Sequence, residues 1–228
     1  MDRPIIFSAP MVRALLAGRK TQTRRVINPQ PIWEPEVVAG PTFGAGWSWG
    51  GYARWADPVR FGAEIAKDQR FSVGDRLYVR EHWRSTPAYD DLAPSEMGGD
   101  EPVLYIADDA TMNWGEADGD RRGRHRQGRH MPRWASRLTL IVEDVRCQPL
   151  QAISRGDAIA EGLTLASKAI EEFWRWPEPH HEHLWLSPPA AYRHLWNSLH
   201  GAGAWDANPW VAVVEFNVVK GNIDDREG

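Results

Sequence analysis

Two segments, LTLIVEDVRCQPL from Leu138 to Leu150 and WVAVVEFNVV from Trp210 to Val219, oblige this chain to build a sheet. Both are rich in β-branched and apolar residues and neither carries a helical period. A third segment, FSVGDRLYVREHW from Phe71 to Trp83, turns at Gly74 and Asp75. It then alternates Leu77, Val79 and Glu81 with Arg76, Tyr78, Arg80 and His82. These segments lie far apart, so the sheet must form from long-range pairs. Helix signals fall between them. Ser8 and Pro10 open a helix that Gly18 stops, Ser154 caps a short one ending near Gly162, and further helical patterns run at about Ala166 to Trp174 and Ala190 to Leu199. Strands interleaved with short helices and long loops point to an α+β fold, a small barrel with helical decoration and not a doubly wound sheet.

The 228 residues suffice for one sizeable domain, expected over 1–220, with long insertions at 28–70 and 85–135 and a disordered tail at 221–228. Lys+Arg of 27 against Asp+Glu of 31 gives a net charge of -4, so whole-chain charge does not announce a nucleic-acid binder and any such function must come from a local patch. Charge is nonetheless segregated. Ser85 to Asp120 holds ten acidic residues and no Lys or Arg, and the next seventeen residues, RRGRHRQGRHMPRWASR, hold seven Arg and two His. Two readings fit: the blocks neutralise each other, or the basic one is a flexible arm for phosphates.

The one cysteine, Cys147, excludes an intramolecular disulfide and a cysteine zinc site, and suits a reducing cytoplasm. The N-terminus is too broken by Pro4, Pro10 and Arg13 for a signal peptide, and no apolar run is long enough for a membrane span. Gly-rich phosphate loops, GxSxG and HExxH are missing. PHHEH, from Pro179 to His183, lacks a helix to fix its imidazoles, so no metal is expected. Most of the thirteen tryptophans are expected to plug irregular chain onto a core.

GRKTQTRR, Gly18 to Arg25, gathers four cations and two threonines at a helix-to-strand turn. The helix dipole accounts for Arg19 and Lys20, at roughly 0.3 to 1 kcal/mol each, but not for the threonines. In an extended segment Lys20, Gln22 and Arg24 share one face, and Thr21, Thr23 and Arg25 the other. Spacing alone does not place Lys20 beside Thr23.

Gly18, Lys20, Thr23 and Arg25 resemble the GxKxxExR signature of ASCH domains, members of the PUA-like superfamily of small β-barrels that handle RNA and modified nucleobases. The order of the GDRLYVRE strand, the LTLIVEDV strand, the ISRGDAIAEGL helix and the NPWVAVVEF strand fits as well. Over its whole length, through HMPRWASR and WDANPWV, the chain looks like ASCH-type proteins encoded by phages and prophages, which implies a host-cytoplasm location. Thr23 stands where the general signature has Glu, as in the small ASCH amidohydrolases that remove the acetyl group from N4-acetylcytidine. Carried over, their site implies Lys20, Thr23 and Glu161 as catalytic residues and no cofactor. A base would activate the Thr23 hydroxyl, a role a desolvated lysine can fill, with Glu161 orienting it or passing the proton on and Arg25 holding the oxyanion or a phosphate.

Tyr78 and Trp83 fall on the strand that lines the superfamily's cleft, where either would stack on a base or pack in the core. His130, Arg133 and Trp134 combine cation, aromatic and turn proline suited to a nucleotide. The expected partner is a pyrimidine nucleoside or a nucleic acid, RNA or modified DNA. Two further readings stay open: a non-catalytic reader of RNA or modified DNA using the Arg121 to Arg137 stretch, and an ASCH-type ribonuclease.

Overall fold

The computed structural model describes residues 1–34, 46–50, 57–116, 119–167, 172–176 and 183–225, and structural statements below refer to these. Twelve strands and four α-helices follow one another along the chain. The strands are β1 (Asp2–Ile6), β2 (Gln22–Val26), β3 (Ile32–Glu34), β4 (Gly46–Ser48), β5 (Arg76–Arg80), β6 (Trp83–Arg84), β7 (Val103–Tyr105), β8 (Thr111–Met112), β9 (Leu138–Pro149), β10 (Thr164–Ser167), β11 (Phe173–Arg175) and β12 (Trp210–Lys220). The helices are α1 (Ala9–Leu16), α2 (Pro58–Ala66), α3 (Arg155–Ala160) and α4 (Pro188–His200). A mixed five-stranded sheet has the order β1-β5-β9-β12-β2. It ends at β1 and β2, so among the described residues it is an open α+β sheet and not a closed barrel.

The chain divides into two compact units, Met1–Lys20 with Gly74–Ile141 and Asn217–Gly228, and Thr21–Val73 with Val142–Phe216.

In the first unit β1 runs parallel to β5, with Pro4 opposite Tyr78, and β5 runs antiparallel to the start of β9. The small sheet β6-β7-β8 stands beside a core of Trp83, Met97, Val103, Tyr105, Met131 and Ala135. Acidic and basic blocks meet here: Arg137 pairs with Asp108 and Arg122 with Asp109, and the Asp90 carboxylate accepts the Arg124 backbone N–H. The basic stretch is therefore not a loose arm. Arg126 turns inward, donating to the Leu92 and Tyr89 carbonyls and covering Trp83, while its backbone bridges that of Trp83.

Residues 221–225, expected to be disordered, are docked. The Asn222 side-chain amide donates to the carbonyls of Arg133, Trp134 and Ser136, and Ile223 is buried. Residues 226–228 lie outside the described residues.

In the second unit β2 pairs antiparallel with β12, Thr23 opposite Val214 and Arg25 opposite Ala212. The expected loop at 28–70 contains β3, β4 and α2. Helix α2 begins on Asp57, whose carboxylate accepts the Val59 N–H, with Pro58 in its first turn. It buries Phe61 and Ile65 against Ile27, Cys147, Trp210 and Ala212. The helix expected at Ala166 to Trp174 is instead the hairpin β10-β11 where described, with Leu165 opposite Trp174 and Trp174 bridged in turn to Trp185. Cross-strand packing of Trp174 outweighs the helical spacing there.

Candidate functional site

The site the sequence points to is polar and buried. In the first unit Lys20 follows the left-handed Gly18, its backbone N–H donates to the Ala14 carbonyl, and its ammonium lies 5.6 Å from the Phe7 ring centroid. The residue is 0% exposed. Burial of a lysine is costly unless its charge finds polar partners, so such residues are rare outside functional sites and buried networks.

In the second unit Thr23 and Glu161 are 4% and 2% exposed. Alternation along β2 puts Gln22, Arg24 and Val26 on one face and Thr23 and Arg25 on the other. Glu161 reaches this segment from the C-terminal end of α3, a helix opened by a reciprocal box in which Ser154 and Asp157 cap each other. There it meets Arg24, whose Nη1 donates to Glu161 Oε1 at 3.0 Å and to Gln22 Oε1 at 2.6 Å. Arg24 Nη2 lies 3.1 Å from Asp157 Oδ2, an ion contact not aligned as a hydrogen bond. Its guanidinium also stands 5.7 Å from the ring centroid of Tyr192 on α4. Asp157 in turn accepts from Gln22 and Arg146, which fixes α3 to the sheet.

Burial first and Glu161 next raise the Tyr192 phenol well above its ordinary pKa, with a hydrogen bond between the two side chains contributing. Desolvation lowers the Arg25 pKa, against the opposing pull of Glu161 and then Tyr192. The pKa of His200, whose ring lies tilted 4.1 Å from that of Trp196, is lowered by burial and then by Arg25. A carboxylate, a phenol and the Arg24 guanidinium thus meet at the end of α3. Such a set can bind an anion or a polarised carbonyl and hold a proton in place. Arg24, Asp157 and Tyr192 were not singled out by the sequence. A two-residue alternation fixes which residues share a face but not which face a distant helix will cover.

The other sequence-predicted residues lie in the first unit. Tyr78 is buried between two guanidiniums, Arg80 at 5.3 Å and Arg133 at 5.4 Å from its ring centroid. Arg133 is committed to Asp224 and Asp2, which accept from it at 2.6 to 2.8 Å. Trp83 is 0% exposed within its core cluster and covered by Arg126, so it packs and offers no open face to a base. Trp134 packs partly buried against the same cluster, and His130 is exposed beside Arg129.

A second feature lay unnoticed in the YVRE segment. Glu81, 1% exposed, receives two bonds from Arg137, which also holds Asp108 and sits 4.0 Å over Tyr105. Burial raises the Glu81 pKa despite that partner.

A cavity of about 220 Å³ in the first unit, lined by Arg76, Thr139, Ile141, Lys220, Asn222 and Asp225 among others, contains none of the predicted residues. No group of three or more potential metal ligands occurs among the described residues, and of PHHEH only His183 is described. No described helix is long and apolar enough to cross a membrane. Compared with known proteins, the chain matches no family model, no curated protein and no solved structure.

Proposed function

We propose that the chain is an ASCH-type protein of the PUA-like superfamily and that it hydrolyses the amide of an N4-acylated cytidine or a related pyrimidine nucleoside. The observation that carries the reading is the burial of three polar residues together with the docking of α3 on the motif strand. Lys20, Thr23 and Glu161 are each less than 5% exposed, and Glu161 arrives at GRKTQTRR from 137 positions beyond Arg24. Buried polar groups cluster where chemistry is done.

The chemistry follows acyl transfer. The Thr23 hydroxyl attacks the acyl carbonyl, Lys20 takes the hydroxyl proton, and the tetrahedral oxyanion is stabilised by Arg25. Collapse breaks the carbon–nitrogen bond, and the exocyclic amine leaves with the proton. Water then hydrolyses the threonyl ester and restores the hydroxyl. Glu161, fixed by Arg24 and Tyr192, orients the base or relays the proton, and no cofactor is required.

Incubation with N4-acetylcytidine, followed by chromatography of released cytidine, tests the proposal. Release by the wild type and its loss in Lys20→Ala and Thr23→Ala are expected. No release, or release undiminished in Lys20→Ala, overturns it.

A further inference from the structure

Most charges around the cavity of the first unit are already paired. It lies on one face of the sheet, where Arg76 on β5 stands opposite Ile141 on β9 and Thr139 follows on the same face. Residues 221–225 border it, held by the Asn222 amide and by the Thr139 hydroxyl, which donates to the Gly221 carbonyl at 3.2 Å. Arg76 is fully committed: Nε and Nη2 donate to Asp2, and Nη1 to the Ile223 carbonyl. Asp224, on the same stretch, is paired with Arg133.

Two charged lining groups remain. Lys220 is exposed at the end of β12, and Asp225 sits in the turn after it. Among the described residues neither meets an opposite charge, nor do they meet each other. The Asp225 carboxylate is nonetheless fixed. Its Oδ2 accepts the Asn222 N–H at 2.8 Å, and the Asp225 N–H donates back to the Asn222 carbonyl at 3.0 Å. Apolar lining comes from Ile141, Val219 and the buried Ile223. An unpaired cation and an unpaired anion in one partly apolar hollow complement a molecule that carries both charges. At about 220 Å³ the cavity is smaller than the roughly 300 to 1,000 Å³ of sites for drug-sized ligands, so its occupant is small.

We propose that this cavity binds a free α-amino acid with an aliphatic side chain, an activity separate from the hydrolytic reading and independent of it. Lys220 receives the carboxylate and Asp225 the ammonium, each through charge-assisted hydrogen bonds. The Thr139 hydroxyl gives its proton to Gly221 and keeps its oxygen as a second acceptor for the ammonium. The hydrocarbon rests on Ile141, Val219 and Ile223, where its burial adds affinity.

Isothermal titration calorimetry of the full chain with L-leucine tests this. Three analogues accompany it: 4-methylpentanoate lacks the ammonium, isopentylamine lacks the carboxylate, and glycine lacks the side chain. Saturable one-to-one binding of leucine is expected, with each analogue roughly 10- to 100-fold weaker. Lys220→Met, which removes the charge and keeps the bulk, should bind leucine and isopentylamine alike. Asp225→Asn, which keeps an acceptor for the Asn222 N–H, should bind leucine and 4-methylpentanoate alike. Absence of saturable leucine binding overturns the proposal, as does any of the three analogues matching leucine on the wild type. Leucine affinity unchanged in both variants overturns it too. Should a variant fail to fold, the analogue comparisons on the wild type decide alone.

Discussion

Arg24 Nη1 donates to Glu161 Oε1 at 3.0 Å, joining the motif strand to a helix end 137 residues away. Both side chains are almost wholly withdrawn from water. Replacing Arg24 with Met leaves Glu161 buried without that guanidinium, and urea unfolding should register a loss of about 3 to 5 kcal/mol. The double variant Arg24→Met/Glu161→Met should recover part of that loss. Equal and additive losses in the two single variants would show that the pair is not coupled.

Gly62 lies where α2 crosses β9. A Cβ there would sit 2.0 Å from the Cys147 carbonyl oxygen, a backbone atom that cannot rotate away. Gly62→Ala should lower stability by about 1 to 3 kcal/mol, whereas Gly98→Ala, with nothing within 4 Å, should be close to neutral. Thermal melts of the two variants provide the comparison.

The neighbourhood of these two sites separates what a sequence discloses from what it withholds. Ser154 and Asp157 announce α3 because a capping box is local, and Leu138–Pro149 and Trp210–Lys220 announce β9 and β12 because their apolar runs are. Asp57 and Pro58 gave an equally local start for α2, obscured by the Gly- and Trp-rich residues around it. The recruitment of Glu161 by Arg24 and of Trp83 by the core depends on contacts many residues apart. Nothing within a few positions of either residue encodes them. The Asn222 amide looked like part of a polar tail for the same reason: its three carbonyl partners lie 86 to 89 residues earlier.

The His82 and His125 pair should make the protein acid-sensitive near neutrality. Burial first, then His125, lowers the His82 pKa below 6.5. The unfolded chain therefore binds more protons than the folded one. Stability is full above about 6.5 and falls as pH drops through that value. Melting temperatures measured from pH 7.5 to 5.0 should decline in the wild type and less steeply in His82→Gln. A separate decline at lower pH belongs to Asp2, whose pKa is lowered to about 2 by its bonds to Arg76 and then Arg133. Its contribution is present above 3.8 and lost as pH approaches 2.

Cys147 is buried, and burial alone pushes its thiol up to about 12. The thiolate is the reactive form, so an aromatic disulfide reagent at pH 8 should leave the native protein unlabelled. Stoichiometric labelling should appear only in denaturant. Rapid labelling of the native protein would place Cys147 in a region that opens readily.

The docking of Asn222 onto Arg133, Trp134 and Ser136 also sets an order of events during synthesis. A ribosome delivers the chain from its N-terminus, and the first unit draws on Met1–Lys20, Gly74–Ile141 and Asn217–Gly228. Three carbonyls near Arg133 must wait for an amide made 86 to 89 residues later, long after the rest of their surroundings have emerged. A nascent chain stalled before Asn222 would thus display a first unit short of its closing clasp, and a chaperone would have that interval in which to hold it.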